Sequence, residues 1–171
     1  HRSFEGIAAV GSTLVLAPNP AFPADSDEVL AARRASASAE AAEDPGASIR
    51  ARLSEARALD DLGRFGEAGI VLDRVSKHAW VGPGGPLAAA YQVTLARHEI
   101  ATGNLERALA RFDETMHLVE GIPGLEAVAL HEYASAWGAR GDFERARDLA
   151  QQAARLAEAA GEAQLALSAI A

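Results

Sequence analysis

The 171-residue chain contains no cysteine, one methionine and a single lysine, Lys77. Without cysteine it can form neither disulfide bonds nor thiolate metal sites, and it has no cysteine nucleophile. Its 16 basic residues are outnumbered by 24 acidic ones, for a formal net charge of −8, whereas nucleic-acid-binding faces collect Lys and Arg. No apolar run approaches the roughly 18 residues of a membrane-spanning helix. We therefore expect no nucleic-acid partner, no membrane partner and a cytoplasmic location.

The chain is rich instead in apolar residues, which make up 49% of it against 23% charged residues, a balance typical of a folded chain. Its length suits one compact domain or a short repeat array. Three prolines within residues 18–23 predict an extended arm or linker over residues 1–25, because proline removes backbone donors. The Asp-Ser-Asp cluster at 25–27 then predicts the start of an N-terminal helix over residues 26–44.

After residue 45, one short pattern occurs three times. It consists of a glycine, a polar residue, a large apolar residue, two further residues and an alanine. The glycines are Gly63, Gly103 and Gly141, and they lie about 40 residues apart. A regular spacing of this length is typical of repeat architectures.

Each pattern predicts a turn between two antiparallel helices. The glycine suits a positive-φ helix end, the polar residue after it (Asn104 or Asp142) suits an N-cap, and the large apolar residue is expected to pack into the joint. The alanine allows the paired helices to approach closely. The predicted helix pairs are 48–62 with 64–79, 87–102 with 104–120, and 124–140 with 142–160. The repeats within residues 45–171 then span about 48–80, 87–121 and 124–160, with a partial fourth repeat or capping helix at 162–171.

Further residues recur at matching positions around the three glycines. They are Ala56, Leu59 and Leu72 in the first repeat, Leu95, Ala96 and Phe112 in the second, and Leu130, Tyr133, Ala134 and Trp137 in the third. Over about residues 48–160 the chain resembles the tetratricopeptide repeat (TPR) family, in particular long-helix variants found in large bacterial regulatory proteins. Glu55 and Glu99 depart from the family pattern, which has apolar or aromatic residues there.

The resemblance implies an all-α fold, a helical-hairpin repeat array stacked into a TPR-like superhelix. One hairpin cannot bury both of its faces, so its neighbours must cover it, and the first helices of the pairs then line an inner groove. A generic helical-hairpin solenoid with the same packing is the alternative.

Transferring the family's groove positions gives a set of expected partner-binding residues. They are Arg50, Leu53, Arg57, Val93, Thr94, Arg97, His131, Glu132 and Ser135. The arginines would favour an acidic or carboxylate-bearing protein or peptide; the alternative is that they only keep the surface soluble. The Lys/Asn/Arg clamp of the family's chaperone-binding members is not reproduced, since Leu53, Thr94 and Glu132 are among the residues at the corresponding positions.

No catalytic constellation emerges from the sequence. His131-Glu132 begins like the metal-binding helix of a zinc protease, but Ser135 stands where the second histidine is needed. The carboxylate pair Asp60-Asp61 is expected to be solvated at a helix end. We therefore predict no enzyme, no catalytic residues, no metal site and no cofactor.

The expected function is that of a protein- or peptide-binding scaffold module within a larger bacterial regulatory or signalling protein. The alternative is a ligand-responsive sensor domain that controls an attached kinase or transcription-activator output domain, because small rotations accumulate along a solenoid. Leu165, Leu167 and Ile170 predict an apolar face near the C-terminal end. We expect a neighbour or the N-terminal arm to cover it, which would allow a homodimer through the chain ends.

Overall fold

The computed structural model describes residues 25–78 and 84–170, with side chains described except at positions 123 and 162–170. The predicted arm therefore lies outside the described residues apart from Asp25, and so does the loop around Trp80. Over the described residues the chain is all-α, as predicted, with seven helices and no strand. They are α1 (Asp27–Ala41), α2 (Pro45–Asp61), α3 (Phe65–Ser76), α4 (Pro86–Ala101), α5 (Leu105–Val119), α6 (Pro123–Arg140) and α7 (Phe143–Ile170).

The helices pack as sequential hairpins. Each helix contacts the next one along the chain, and α4 also contacts both α2 and α6. The first helices of the three predicted pairs therefore lie side by side. None of the helices in the described part of the chain is long and apolar enough to cross a membrane.

The three predicted glycine turns are confirmed and have the same geometry. Gly63, Gly103 and Gly141 have φ values of 72°, 79° and 94°, in the left-handed region where a side chain is disfavoured. In each turn the N–H of the residue after the glycine donates to the carbonyl of the residue five positions earlier, at 2.8, 2.7 and 3.0 Å. This bond belongs to the Schellman motif, which satisfies carbonyls at the helix end. The turns are equivalent in backbone structure.

The helix N-termini are capped less uniformly than predicted. The Ser26 hydroxyl accepts a bond from the Val29 N–H at 3.3 Å, and Asp142 Oδ1 accepts one from the Arg145 N–H at 3.1 Å. Asn104 stands at the N-cap position of α5 but its side chain caps no N–H. Its amide donates instead to the Thr102 hydroxyl at 3.0 Å, so the prediction of a side-chain cap is wrong there.

The C-terminal helix differs from the prediction of a separate helix at 162–171. Helix α7 continues without a break through Gly161 to Ile170. One interior glycine costs a helix only about 1 kcal/mol relative to alanine, and the flanking residues 158–164 are otherwise Glu, Ala and Gln, which favour helix. The sequence therefore contains no signal strong enough to end the helix.

Two apolar clusters form the core. The aliphatic cluster is formed by residues of α1, α2, α3 and α4 and includes Ile49, Leu59 and Leu72. The aromatic cluster is formed by residues of α4, α5 and α6, with Leu149 of α7 packed against it. In this cluster the Phe112 ring stacks on Tyr133 with 5.2 Å between the ring centroids. Burying these side chains is the main favourable contribution to folding.

The large apolar residue after the glycine is exposed in the first and last repeats, which differs from the prediction. Phe143 is 74% exposed and Phe65 is 37% exposed, whereas Leu105 packs against the aromatic cluster. Trp137 fills the joint between α6 and α7 instead, and the guanidinium groups of Arg145 and Arg140 stack on its ring at 4.1 and 5.2 Å from the centroid. The expectation that Phe143 packs into the joint is therefore wrong.

Candidate functional site

An open cavity of about 450 Å³ is lined by residues of α2, α4, α6 and α7. We call it the groove cavity. Its polar lining residues are Arg57 from α2, Arg97 from α4, and His131 and Glu132 from α6. The remaining lining residues are apolar. They are Ala127, Val128, Ala150, Ala153, Ala154 and Ala157.

The structure brings four of the nine predicted groove residues together in this cavity: Arg57, Arg97, His131 and Glu132. Arg50 and Ser135 are exposed but do not line the cavity. Arg57 and Arg97 each precede the anchor glycine of their repeat by six positions, so equivalent places on two neighbouring helices carry the same side chain.

The other three predicted groove residues, Leu53, Val93 and Thr94, are buried, so the prediction that they line an open groove is wrong. Leu53 belongs to the aliphatic cluster and Val93 to the aromatic cluster. The Thr94 hydroxyl donates to the Ala90 carbonyl of its own helix at 2.8 Å. Each residue along a helix is rotated by about 100° from the one before, so a small error in helix phase turns a groove position into a core position.

Arg57 is the least satisfied polar group of the cavity. Its Nε atom is buried and has no hydrogen-bond partner among the described residues. Burial is the main cause that lowers the pKa of Arg57. The charge of neighbouring Arg97 lowers this pKa further, and the charges of Glu132 and Asp61 oppose the shift. An arginine remains protonated in proteins even so, and the cavity therefore holds a half-buried positive charge with an unfilled donor.

Arg97 is held by acidic partners on both sides. One of its terminal nitrogens donates to Asp61 of α2, and its Nε lies 3.5 Å from Oε1 of Glu132 on α6. These contacts link α2, α4 and α6 along the polar side of the cavity. Arg97 therefore has two carboxylate partners, whereas Arg57 makes no ion pair among the described residues.

A contact between a histidine and an aspartate also connects α2 and α4. His98 Nδ1 lies 2.8 Å from Asp60 Oδ1, and the other oxygen of Asp60 is buried without a partner among the described residues. Burial raises the pKa of Asp60, against the opposing influence of His98. On the far side of the imidazole, a Cβ added at Gly69 of α3 would lie 3.5 Å from Nε2.

The prediction that Asp60 is solvated at a helix end is wrong, because Asp60 is buried and lies against His98. Ala56, Leu59 and Asp60 share one side of α2 at helical spacing, which is the signal that could have placed Asp60 against α4. Asp60 is instead a buried carboxylate with one partner, and such groups are found where a neighbouring charge compensates them.

The two glutamates that depart from the family pattern are also buried in ion pairs. Glu99 accepts two bonds from Arg111 of α5, at 2.8 and 2.9 Å, and Glu55 accepts one from Arg33 of α1 at 2.7 Å. Each pair joins neighbouring helices. A buried carboxylate with an arginine partner thus stands where the family pattern has an apolar side chain.

Comparisons with known proteins returned no match to a protein-family model, to a curated protein or to a solved structure. Within residues 25–78 and 84–170, no group of three or more His, Asp or Glu side chains is placed to hold a metal ion. Within the described residues, the groove cavity is the candidate functional site.

Proposed function

We propose that the chain is a TPR-like helical-repeat module that binds a protein or peptide segment in the groove cavity. The proposal includes a superhelical arrangement of the hairpins, with α2, α4 and α6 forming the inner surface. It is supported by the side-by-side packing of these three helices and by the equivalent glycine turns after each of them.

The observation that carries the proposal is Arg57 on the wall of an open cavity, where its partly exposed guanidinium group makes no hydrogen bond or ion pair among the described residues. A planar guanidinium is best matched by a carboxylate, which can accept two parallel hydrogen bonds. The proposed ligand therefore places an Asp, Glu or terminal carboxylate on Arg57.

The rest of the cavity sets what the ligand must carry beside that carboxylate. The lining residues other than the two arginines, His131 and Glu132 are alanine and valine, whose side chains offer no polar partner. A free inorganic anion would leave these side chains uncovered, whereas a peptide can cover them with an apolar side chain next to its acidic one.

The test uses a library of short peptides synthesised in pairs, an acidic form and a form with every Asp and Glu replaced by Asn and Gln. Binding to the 171-residue chain is measured by fluorescence anisotropy. Peptides that bind are expected to lose at least about tenfold in affinity in the amide form, since a hydrogen bond to a charged group contributes about 1.5 to 3 kcal/mol.

Arg57→Ala should weaken binding of the same peptides by about tenfold or more. Arg34→Ala is the matched control, because Arg34 is exposed on α1 and lies outside the cavity lining. It should change affinity little while removing the same charge. If no peptide binds, or if binding is the same in the Arg57 and Arg34 variants, the proposal is wrong.

A further inference from the structure

A second open cavity, of about 340 Å³, is lined by residues of α1, α2 and α3. We call it the α3 cavity. Helices α1 and α3 both pack against α2, which supplies Leu59 to the lining. Leu59 and Val71 are buried, whereas Ile70 of α3 is 55% exposed. The α3 cavity therefore presents a large aliphatic side chain to solvent in the described part of the chain.

The exposed isoleucine is not a general property of the repeats. Ile70 lies seven positions after its anchor glycine, and the residues at the same place in the next two repeats are Ala110 and Asp148. All three positions are exposed, but the later repeats have a small and a charged side chain there. A large apolar side chain at this position only in the first repeat indicates that something covers it there.

The chain enters the described structure at the edge of the α3 cavity. The Asp25 carboxylate lies 2.6 Å from Nη1 of Arg33 and also pairs with Arg64. Arg33 lines the cavity, and Arg64 donates two hydrogen bonds of 2.7 Å to Glu67, which lines it as well. These ion pairs hold Asp25 next to the N-terminal end of α3. The residues that precede Asp25 therefore start beside the cavity.

We propose that residues 18–24 of the same chain dock in the α3 cavity, with the Phe22 ring packed on Ile70. These residues lie outside the described part of the chain, and the inference does not depend on the groove cavity. Phe22 is three residues before Asp25, a reach of about 10 Å in extended chain. Ile70 is three residues beyond Glu67, about 4.5 Å along α3. The tether is therefore long enough.

The short tether also favours this segment over other occupants. Phe22 is the only large apolar residue between positions 17 and 25, so it is the first one that the chain can bring to the cavity. A segment on a short tether has a high effective concentration at its site, which a separate partner must exceed to displace it. The ion pairs of Asp25 hold the end of the arm beside α1 and α3, although the sequence predicts that the arm covers the C-terminal face.

The chemistry of the cavity fits an aromatic, proline-rich segment. A phenyl ring can cover Ile70, and the exposed Arg74, one turn further along α3, can stack on the ring. The fold already contains such a contact, since the Arg145 guanidinium lies 4.1 Å from the ring centroid of Trp137. Pro18, Pro20 and Pro23 have no backbone N–H, so docking removes fewer donors from water.

The direct test is methyl NMR on the 171-residue chain with labelled isoleucine methyl groups, in which Ile70→Val assigns the Ile70 signal. An aromatic ring shifts the resonance of a methyl group beneath it. We expect a cross-relaxation signal between the Phe22 ring and the Ile70 methyl group, and we expect Phe22→Leu to move the methyl resonance. Phe4→Leu is the matched control, because Phe4 lies in the same arm but 21 residues before Asp25.

A thermodynamic cycle tests the same contact through stability. Phe22→Ala and Ile70→Ala should each lower the melting temperature by about 2 to 4 °C. The double variant should lose clearly less than the sum, because both changes remove one contact. Phe143→Ala is the control for the cycle, since Phe143 is exposed in another repeat. Its loss should add fully to that of Phe22→Ala.

The outcomes separate the possible occupants. The proposal is wrong if Phe22→Leu leaves the Ile70 methyl resonance unchanged, if Phe4→Leu moves it as much, or if the losses at Phe22 and Ile70 simply add. Light scattering at the NMR concentration and after dilution decides whose arm is bound. We expect a monomer that keeps the Phe22-dependent shift at every concentration. A dimer that loses this shift when it dissociates would show that the arm of a second copy fills the cavity, which would also overturn the proposal.

Discussion

The aliphatic and aromatic clusters occupy neighbouring layers of the same helical stack, yet they are bordered by different chemistry. Next to the aliphatic cluster, α2 and α4 are joined by the His98–Asp60 pair. In the aromatic cluster, α5 and α6 are joined by the stacked rings of Phe112 and Tyr133. The glycine turns therefore fix the order of the helices, while different side-chain contacts hold the helices together in each layer. Because Asp60 is a carboxyl group, we expect the stability of the first contact to vary with pH, whereas the second contact depends on how the two rings pack.

The largest expected effect is in the aromatic cluster. Phe112→Ala should lower the free energy of unfolding by about 3 to 5 kcal/mol, because it removes a fully buried ring and leaves a cavity. Leu72→Ala, its counterpart in the aliphatic cluster, should cost about 2 to 4 kcal/mol, since no ring stacking is lost. Urea unfolding measures both. Phe112→Leu is the control that keeps most of the volume. A larger cost for Leu72 than for Phe112 would reverse the comparison.

The next effect concerns the close approach of paired helices. Ala108→Leu should destabilise the fold by roughly 1 to 3 kcal/mol, because Ala108 is fully buried and a larger side chain forces the backbone to shift. Ala146, at the equivalent position on α7, is only partly buried, so Ala146→Leu should cost less. Thermal melting of the two variants gives the order. A neutral result at Ala108 would show that free space surrounds it.

The smallest effect is on pH dependence, and we expect it from two carboxyl groups, Asp60 and Glu67. Burial raises the pKa of Asp60 above its ordinary 3.8, so its contribution to stability is fully present below that value and is lost as pH rises through the folded-state pKa. The Arg64 hydrogen bonds lower the pKa of Glu67 below its ordinary 4.5, so its contribution is lost as pH falls below that range.

The difference in unfolding free energy between the parent chain and Asp60→Asn should therefore grow in favour of the parent as pH falls from neutral toward about 4. For Glu67→Gln the difference should shrink as pH falls below about 4.5. Urea unfolding across this pH range measures both. Parallel curves for the Asp60 variant and the parent would show that Asp60 is not buried in the way the α2–α4 contact requires.

Much of the fold could be predicted because glycine and proline act locally. Gly63, Gly103 and Gly141 mark turns by their own conformational freedom, and Pro45, Pro86 and Pro123 each begin a helix. The unbroken course of α7 was missed because a lone glycine among strong helix formers costs too little to stop the helix.

The candidate site was predicted only in part, because its residues depend on how each helix is rotated against its neighbours. Arg57 and Arg97 were predicted by transferring the groove positions of the family that the sequence resembles. Thr94 was misplaced because its hydroxyl bonds to its own backbone and so tolerates burial. The alanines of α7 that line the groove cavity were not predicted as site residues, because alanine occurs both in cores and on surfaces and a sequence pattern alone does not separate the two.

Gly69 of α3, which lies beside His98, affects the local stability of its helix. Helix α3 has only 12 residues, and besides Gly69 it contains Gly66; each interior glycine lowers helix propensity by about 1 kcal/mol relative to alanine. These glycines lower the helix propensity of α3, so we expect hydrogen exchange to detect local opening of this helix. Because α2 and α4 also contact each other directly, such an opening would uncover His98 and leave the contact between α2 and α4 in place.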